Sequence, residues 1–171
     1  MFMIDYVKPE QAEGEVQKIY SMFTPRIPVP EPILLYSASP RYLQRHVDMI
    51  VDYMQDDAYS PELLAALRFI GASSACFGFC TLFNRKMLGD MGLSEAEIDA
   101  LATDPAKAFD AKDAALLAFA AKSIKEPDNV TREDLDAVRA AGWTDQQIYE
   151  AAAYSAQMSV TGTLFRTFAE K

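Results

Sequence analysis

The sequence predicts an all-α protein, and three observations carry that reading. No alternating run extends beyond a few residues, and no Asn-Gly or Asp-Gly pair marks a hairpin. Apolar residues recur instead at helical spacing, as in Leu43, Val47, Ile50, Val51 and Met54. Ser, Thr or Asp repeatedly precedes such runs, where its side chain can satisfy the free N–H groups of a helix's first turn.

The elements follow in order. Gln11 to Phe23 is a short amphipathic piece. Pro25, Pro28, Pro30 and Pro32 come next, and such density excludes helix or central strand. We therefore expect an extended arm there, lying on the surface of its own chain or of a neighbour. Ser39-Pro40 and Ser60-Pro61 each pair an N-cap with a proline at the first helical position. The run Leu63 to Ile70 is strongly apolar. Gly71-Ala-Ser-Ser74 leaves two readings open. One long helix continues to about Met91, or Gly71 ends a helix and Ser73 or Ser74 caps the next. The break is favoured, and it would place Cys76 in a first turn.

Beyond Gly92, Ser94 and Glu97 form a capping box for a helix to Leu101. Asp110 caps a helix ending near Pro127, and Thr131 with Asp134 opens one that stops at Gly142. Thr144 with Gln147 opens the last, which runs to the C-terminus. The total is seven or eight helices in a compact bundle. The pattern [ST]-[ED]-x-[EQ]-I occurs at Ser94 and again at Thr144, each time just after a Gly-x pair and with an alanine two or three residues beyond the Ile, and suggests internal duplication.

The chain has 171 residues, half of them hydrophobic, which suffices for one domain with a core. A net charge of -9 repels nucleic acid and anionic membranes, so neither is an expected partner. No apolar run reaches bilayer length, and Met-Phe-Met-Ile-Asp does not begin a signal peptide. We expect a cytoplasmic protein, whose close cysteine pair is reactive or inert rather than a structural staple.

Cys76 and Cys80 are the only cysteines. On a helix their sulfurs share one face, with Asn84 one turn further along the stripe. Two readings compete. A thiol redox pair is one, although Cβ atoms at this spacing lie roughly 6 Å apart and a disulfide needs about 4 Å. Two small buried hydrophobes is the other. A first-turn position lowers a thiol pKa, whereas shielding by Phe77 and Phe79 raises it. The cysteines and the lone His46 are too few soft ligands for zinc, so no metal is expected. His46 has the chemistry of a base for Cys80 but reads more simply as a surface or half-buried residue. No glycine-rich phosphate loop or nucleophile elbow is present, and no cofactor is expected.

From about Pro32 onward the chain resembles the AhpD-like alkylhydroperoxidase and carboxymuconolactone decarboxylase superfamily, in its peroxidase-related branch. The resemblance rests on Ser60-Pro-Glu-Leu-Leu-Ala-Ala-Leu, Ala75-Cys-Phe-Gly-Phe-Cys80-Thr-Leu-Phe-Asn84 and Met91-Gly-Leu-Ser-Glu-Ala-Glu-Ile98. Asp113-Ala-Ala-Leu-Leu-Ala-Phe-Ala-Ala-Lys, Val130-Thr-Arg-Glu-Asp-Leu and Gly142-Trp-Thr-Asp-Gln-Gln-Ile-Tyr-Glu extend it. It divides the chain into an N-terminal segment, 1–32, and an AhpD-like helical domain, 33–171.

The resemblance implies an all-helical homo-oligomer, a trimer or hexamer, served by a thiol reductant protein. Redox members carry Glu, then Cys-x-x-Cys, then His. The second cysteine attacks peroxide, the first resolves it, and Glu and His relay protons. Cys80 matches the second cysteine. Phe77 stands where the first belongs, with Cys76 one residue early, and Asn84 stands at the histidine. The glutamate falls near Ala65, and Glu62 is the nearest carboxylate. Lactone decarboxylation lacks its acid-base residues.

Two functions follow as expectations. One is a diverged thiol-dependent antioxidant enzyme acting on hydroperoxides, with Cys80 as nucleophile, Cys76 as resolving thiol, Asn84 as orienting partner and Glu62 as the acid-base candidate. The other is a non-redox protein of the same fold. It would serve in oligomer assembly or bind a small apolar ligand near Phe77, Phe83, Tyr154 and Gln157.

Overall fold

The computed structural model describes residues 2–23, 28–75 and 78–170. Among them are nine α-helices, three short 3-10 turns and no strand. One isolated antiparallel bridge joins Phe2 and Ala169. The chain divides into two compact units, Met1–Asp57 with Thr163–Lys171, and Ala58–Gly162.

The first unit contains α1 (Gly14–Ser21), α2 (Glu31–Tyr36) and α3 (Pro40–Gln55). Helix α3 opens as predicted, with the Ser39 side chain accepting from the Tyr42 N–H. Helix α2 is the departure. Pro32 lies in its first turn, where a missing N–H breaks no helical bond. Helix α2 therefore begins at Glu31, where the extended arm was expected to run on through Pro32, and it is the helix beyond the seven or eight expected. Pro25 lies outside the described residues. Val16, Ile19, Tyr20, Ile33, Tyr36, Leu43 and Val47 form the core of this unit. The Val7 N–H donates to Ser37 Oγ at 2.8 Å, and the Tyr20 hydroxyl donates to the Val7 carbonyl at 2.8 Å. These bonds hold the N-terminal segment on that core.

The second unit holds α4 (Pro61–Ser74), α5 (Gly78–Asp90), α6 (Glu95–Ala100), α7 (Ala111–Lys125) and α8 (Arg132–Ala140). It also takes α9 (Asp145–Phe168) as far as Gly162. The predicted caps are in place. Ser60 and Asp110 cap α4 and α7, and reciprocal boxes at Ser94–Glu97 and Thr131–Asp134 open α6 and α8. Thr144 and Gln147 exchange the same pair of bonds at α9, at 3.0 and 3.3 Å.

The sequence repeat is a repeated joint. Gly92 and Gly142 both have φ +104°. The residue after each reaches back to a carbonyl of the preceding helix, Leu93 N–H to Leu88 at 3.1 Å and Trp143 N–H to Val138 at 3.4 Å. A left-handed glycine closes one helix in this way, and the following box opens the next. Ile98 and Ile148 are then both buried.

Helix α4 lies at the centre of the second unit. Leu63, Leu67 and Ile70 are fully buried, and α4 packs against α5 and α7. Helix α9 crosses it closely. Ser155 Oγ donates to the Leu67 carbonyl at 2.6 Å. A Cβ on Gly71 would lie 2.0 Å from the Ser155 carbonyl oxygen. Gly71 is therefore interior to α4, where it admits a neighbouring backbone. The chain does break into two helices, but after Ser74; Ser73 and Ser74 belong to the last turn of α4 and cap nothing.

Gly71→Ala is expected to cost ~3 kcal/mol, the upper end for overpacking, because backbone rather than a flexible side chain must move. Gly89→Ala, with open space around the same helical conformation, should gain about 0.5–1 kcal/mol. Urea denaturation reads both. A small effect at Gly71 would mean that α4 and α9 separate freely.

Candidate functional site around Cys80

Cys80 is the third residue of α5, a free thiol with 5% of its surface exposed. Two effects compete on it. The amide dipoles of a helix's first turn favour the thiolate, and burial favours the neutral thiol. Burial wins and pushes the thiol up to about 11, while the nearby Arg68 charge lowers it by a smaller amount.

Asn84 lies one turn further on and is fully buried. Its Nδ2 donates to the Cys80 carbonyl at 2.7 Å, which fixes the amide plane. Its Oδ1 is enclosed and has no partner. Arg68 Nε, Ser73 Oγ and Ser74 Oγ on α4 are enclosed and unpartnered as well. Each such atom costs about 1–3 kcal/mol in a folded protein. The Arg85 guanidinium sits over the Phe69 ring, 5.5 Å from its centroid, and is held from its other side by Glu95 and Asp99. That contact is one of those that join α5 to α4.

The structure thus brings Cys80 and Asn84 together and adds Arg68. Cys76 and Phe77 lie outside the described residues. Phe83 is half-buried, with its ring parallel to Phe79 at 6.5 Å. Glu62 lies in the first turn of α4, about 18 Å of helix from the Ser74 end that leads toward Cys80. Tyr154 is buried and Gln157 half-buried on α9, flanking the Ser155 crossing. An apolar cavity of about 280 Å³ lies in the first unit, lined by residues that include Tyr36, Tyr42, Leu164 and Phe168; Phe83, Tyr154 and Gln157 do not line it. His46 also belongs to the first unit, buried with its ring edge-on to Tyr36 at 4.6 Å. Among the described residues no three His, Cys, Asp or Glu side chains converge as a metal site would require.

Sequence reasoning passed over Arg68. Its signal was available, because it is the one charge in the apolar run Leu63 to Ile70. Ser73 and Ser74 were read only as caps.

No protein-family model matches the sequence, and no curated protein matches it. Solved structures do. An uncharacterized peroxidase-related protein from Silicibacter sp. TM1040 superposes with a TM-score of 0.76 at 18% identity, covering 94% of this chain and 87% of that one. An alkylhydroperoxidase AhpD core, an uncharacterized peroxidase-related protein from Ralstonia eutropha JMP134, gives a TM-score of 0.81 at 16% identity, covering 98% and 90%. Among the described residues, no helix is long and apolar enough to cross a membrane. The chain is an all-α bundle with the fold of the AhpD core.

Proposed function

We propose that this chain is a diverged thiol-dependent protein that reduces hydroperoxides through Cys80, with Cys76 as the resolving thiol. The observation that carries the reading is the free Cys80 thiol in a helix's first turn, beside the unpartnered Oδ1 of buried Asn84. The AhpD-core fold supports it.

In the first step Cys80 sulfur attacks the terminal oxygen of ROOH. An S–O bond forms, the O–O bond breaks, and the thiol proton ends on the leaving oxygen as ROH. In the second step Cys76 sulfur attacks the sulfenic acid and releases water, leaving a disulfide. An external dithiol, supplied by a reductant protein, then restores both thiols. Asn84 orients but takes no proton near neutral pH. Glu62, as the acid-base candidate, exchanges protons through solvent. With a thiol near 11, roughly one molecule in ten thousand carries the thiolate at pH 7. The reaction is therefore slow at neutral pH. A homo-oligomer, trimer or hexamer, in the cytoplasm belongs to the same proposal.

The burial of Cys80 favours a second reading, in which the thiol is inert and a small apolar molecule binds near Phe77, Phe83, Tyr154 and Gln157. A thermal shift by such a ligand that survives removal of both cysteines would support it.

The thiolate is the reacting form, so its fraction grows until pH passes the folded pKa. Alkylation and peroxide oxidation of Cys80 should rise about tenfold per pH unit from neutrality and level off near pH 11. A plateau reached already by pH 8 would contradict this. Cys80→Ser should abolish peroxide consumption, and Cys76→Ser should trap a sulfenic acid at Cys80, visible by mass spectrometry. Equal residual consumption in the two variants would sink the mechanism.

A further inference from the structure

Arg68 and Asn84 leave a complementary pair of buried groups beside the thiol. Arg68 Nε–H is an enclosed donor without an acceptor, and Asn84 Oδ1 is an enclosed acceptor without a donor. They lie on α4 and α5, which pack against each other, and the Arg68 charge is close enough to act on the Cys80 thiol. Asn84 cannot easily rotate away, because its Nδ2 is engaged with the Cys80 carbonyl. We propose that Arg68 Nε–H and Asn84 Oδ1 together bind the hydroperoxide group, so that Arg68 is a catalytic residue of this site. This rests on the peroxide reading above.

The chemistry of the pair suits that group. A hydroperoxide has one O–H donor on its terminal oxygen and an acceptor on the oxygen that leaves. The terminal O–H donates to Asn84 Oδ1, which holds the oxygen that Cys80 sulfur attacks. The leaving oxygen accepts from Arg68 Nε–H, and negative charge develops there as the O–O bond breaks. A fixed charged donor in an enclosed site stabilises such charge with little reorganisation. The thiol proton finally reaches this oxygen, and ROH departs. Arg68 stays protonated throughout, because guanidinium does not titrate in this range. The positive charge beside Cys80 also favours the thiolate. Arg68 thus supplies transition-state stabilisation on a chain with Asn84 where a histidine relay is absent.

The test compares two reactions of Cys80 at one pH, oxidation by hydrogen peroxide and alkylation by iodoacetamide, in the full chain. Alkylation reports the thiolate and has no O–O bond to polarise. In Arg68→Met, oxidation should fall by roughly 100-fold or more, and alkylation by about tenfold or less. Arg68→Lys keeps the charge and loses the planar Nε–H. Its alkylation should stay within about threefold of the original chain while oxidation falls by at least about tenfold. If Arg68→Met does not fold, Arg68→Lys decides the matter alone. Oxidation and alkylation falling in equal proportion would overturn the inference and leave the peroxide reading standing. An original chain whose Cys80 alkylates normally but resists peroxide even at pH 11 would overturn both.

Discussion

The backbone-to-backbone approach of α4 and α9 at Gly71 and Ser155 is the constraint on which the second unit depends. No side chain separates the two helices there, since even a methyl group would sit 2.0 Å from a carbonyl oxygen. The crossing is also a polar one. Ser155 is fully buried, and its hydroxyl is satisfied by the Leu67 carbonyl, whose second lone pair remains for the helix's own ladder. This fixes the height and rotation of α4. Arg68 lies between Leu67 and Gly71 on that helix, so the same contact determines where its guanidinium emerges.

The Cys80 site then follows from a competition between local and tertiary effects. A helix's first turn offers a favourable dipole, but its partial charge is small. Burial acts on the whole thiolate charge and prevails. Asn84 is held one turn from Cys80 by its bond to the Cys80 carbonyl, and in the proposed reaction it would orient without relaying a proton. Under the proposed peroxide reading, the site would trade speed at neutral pH for a thiol that is hard to modify unless its partner molecule fits.

The helix starts were legible because capping is local. Ser39, Ser60, Ser94, Asp110, Thr131 and Thr144 each act on an N–H three residues away, and the sequence contains everything the bond needs. Helix α2 was hidden because Pro32 belongs equally well to an extended arm and to a first turn. The break near Cys76 was expected, but its position was misplaced, since Gly71 answers to α9 rather than to its own helix end. At the site, Cys80 and Asn84 were legible as an i, i+4 pair. The competition between dipole and burial was also visible in advance, but its outcome depends on packing that no local pattern encodes. Arg68 was concealed by its apolar neighbours, because only the tertiary arrangement shows that its Nε is enclosed.

The two glycine joints at Gly92 and Gly142 are closed by hydrogen bonds that span only a few residues. Such structure assembles on the timescale of local chain motion, before any distant encounter is needed. The meeting of residues 71 and 155 is of the opposite kind, since it must close a loop of more than eighty residues against chain entropy. The order of events during synthesis follows. Helical hairpins form as they emerge, and the face of α4 that meets α9 stays uncovered until α9 is made, so the nascent chain is vulnerable to aggregation in that interval.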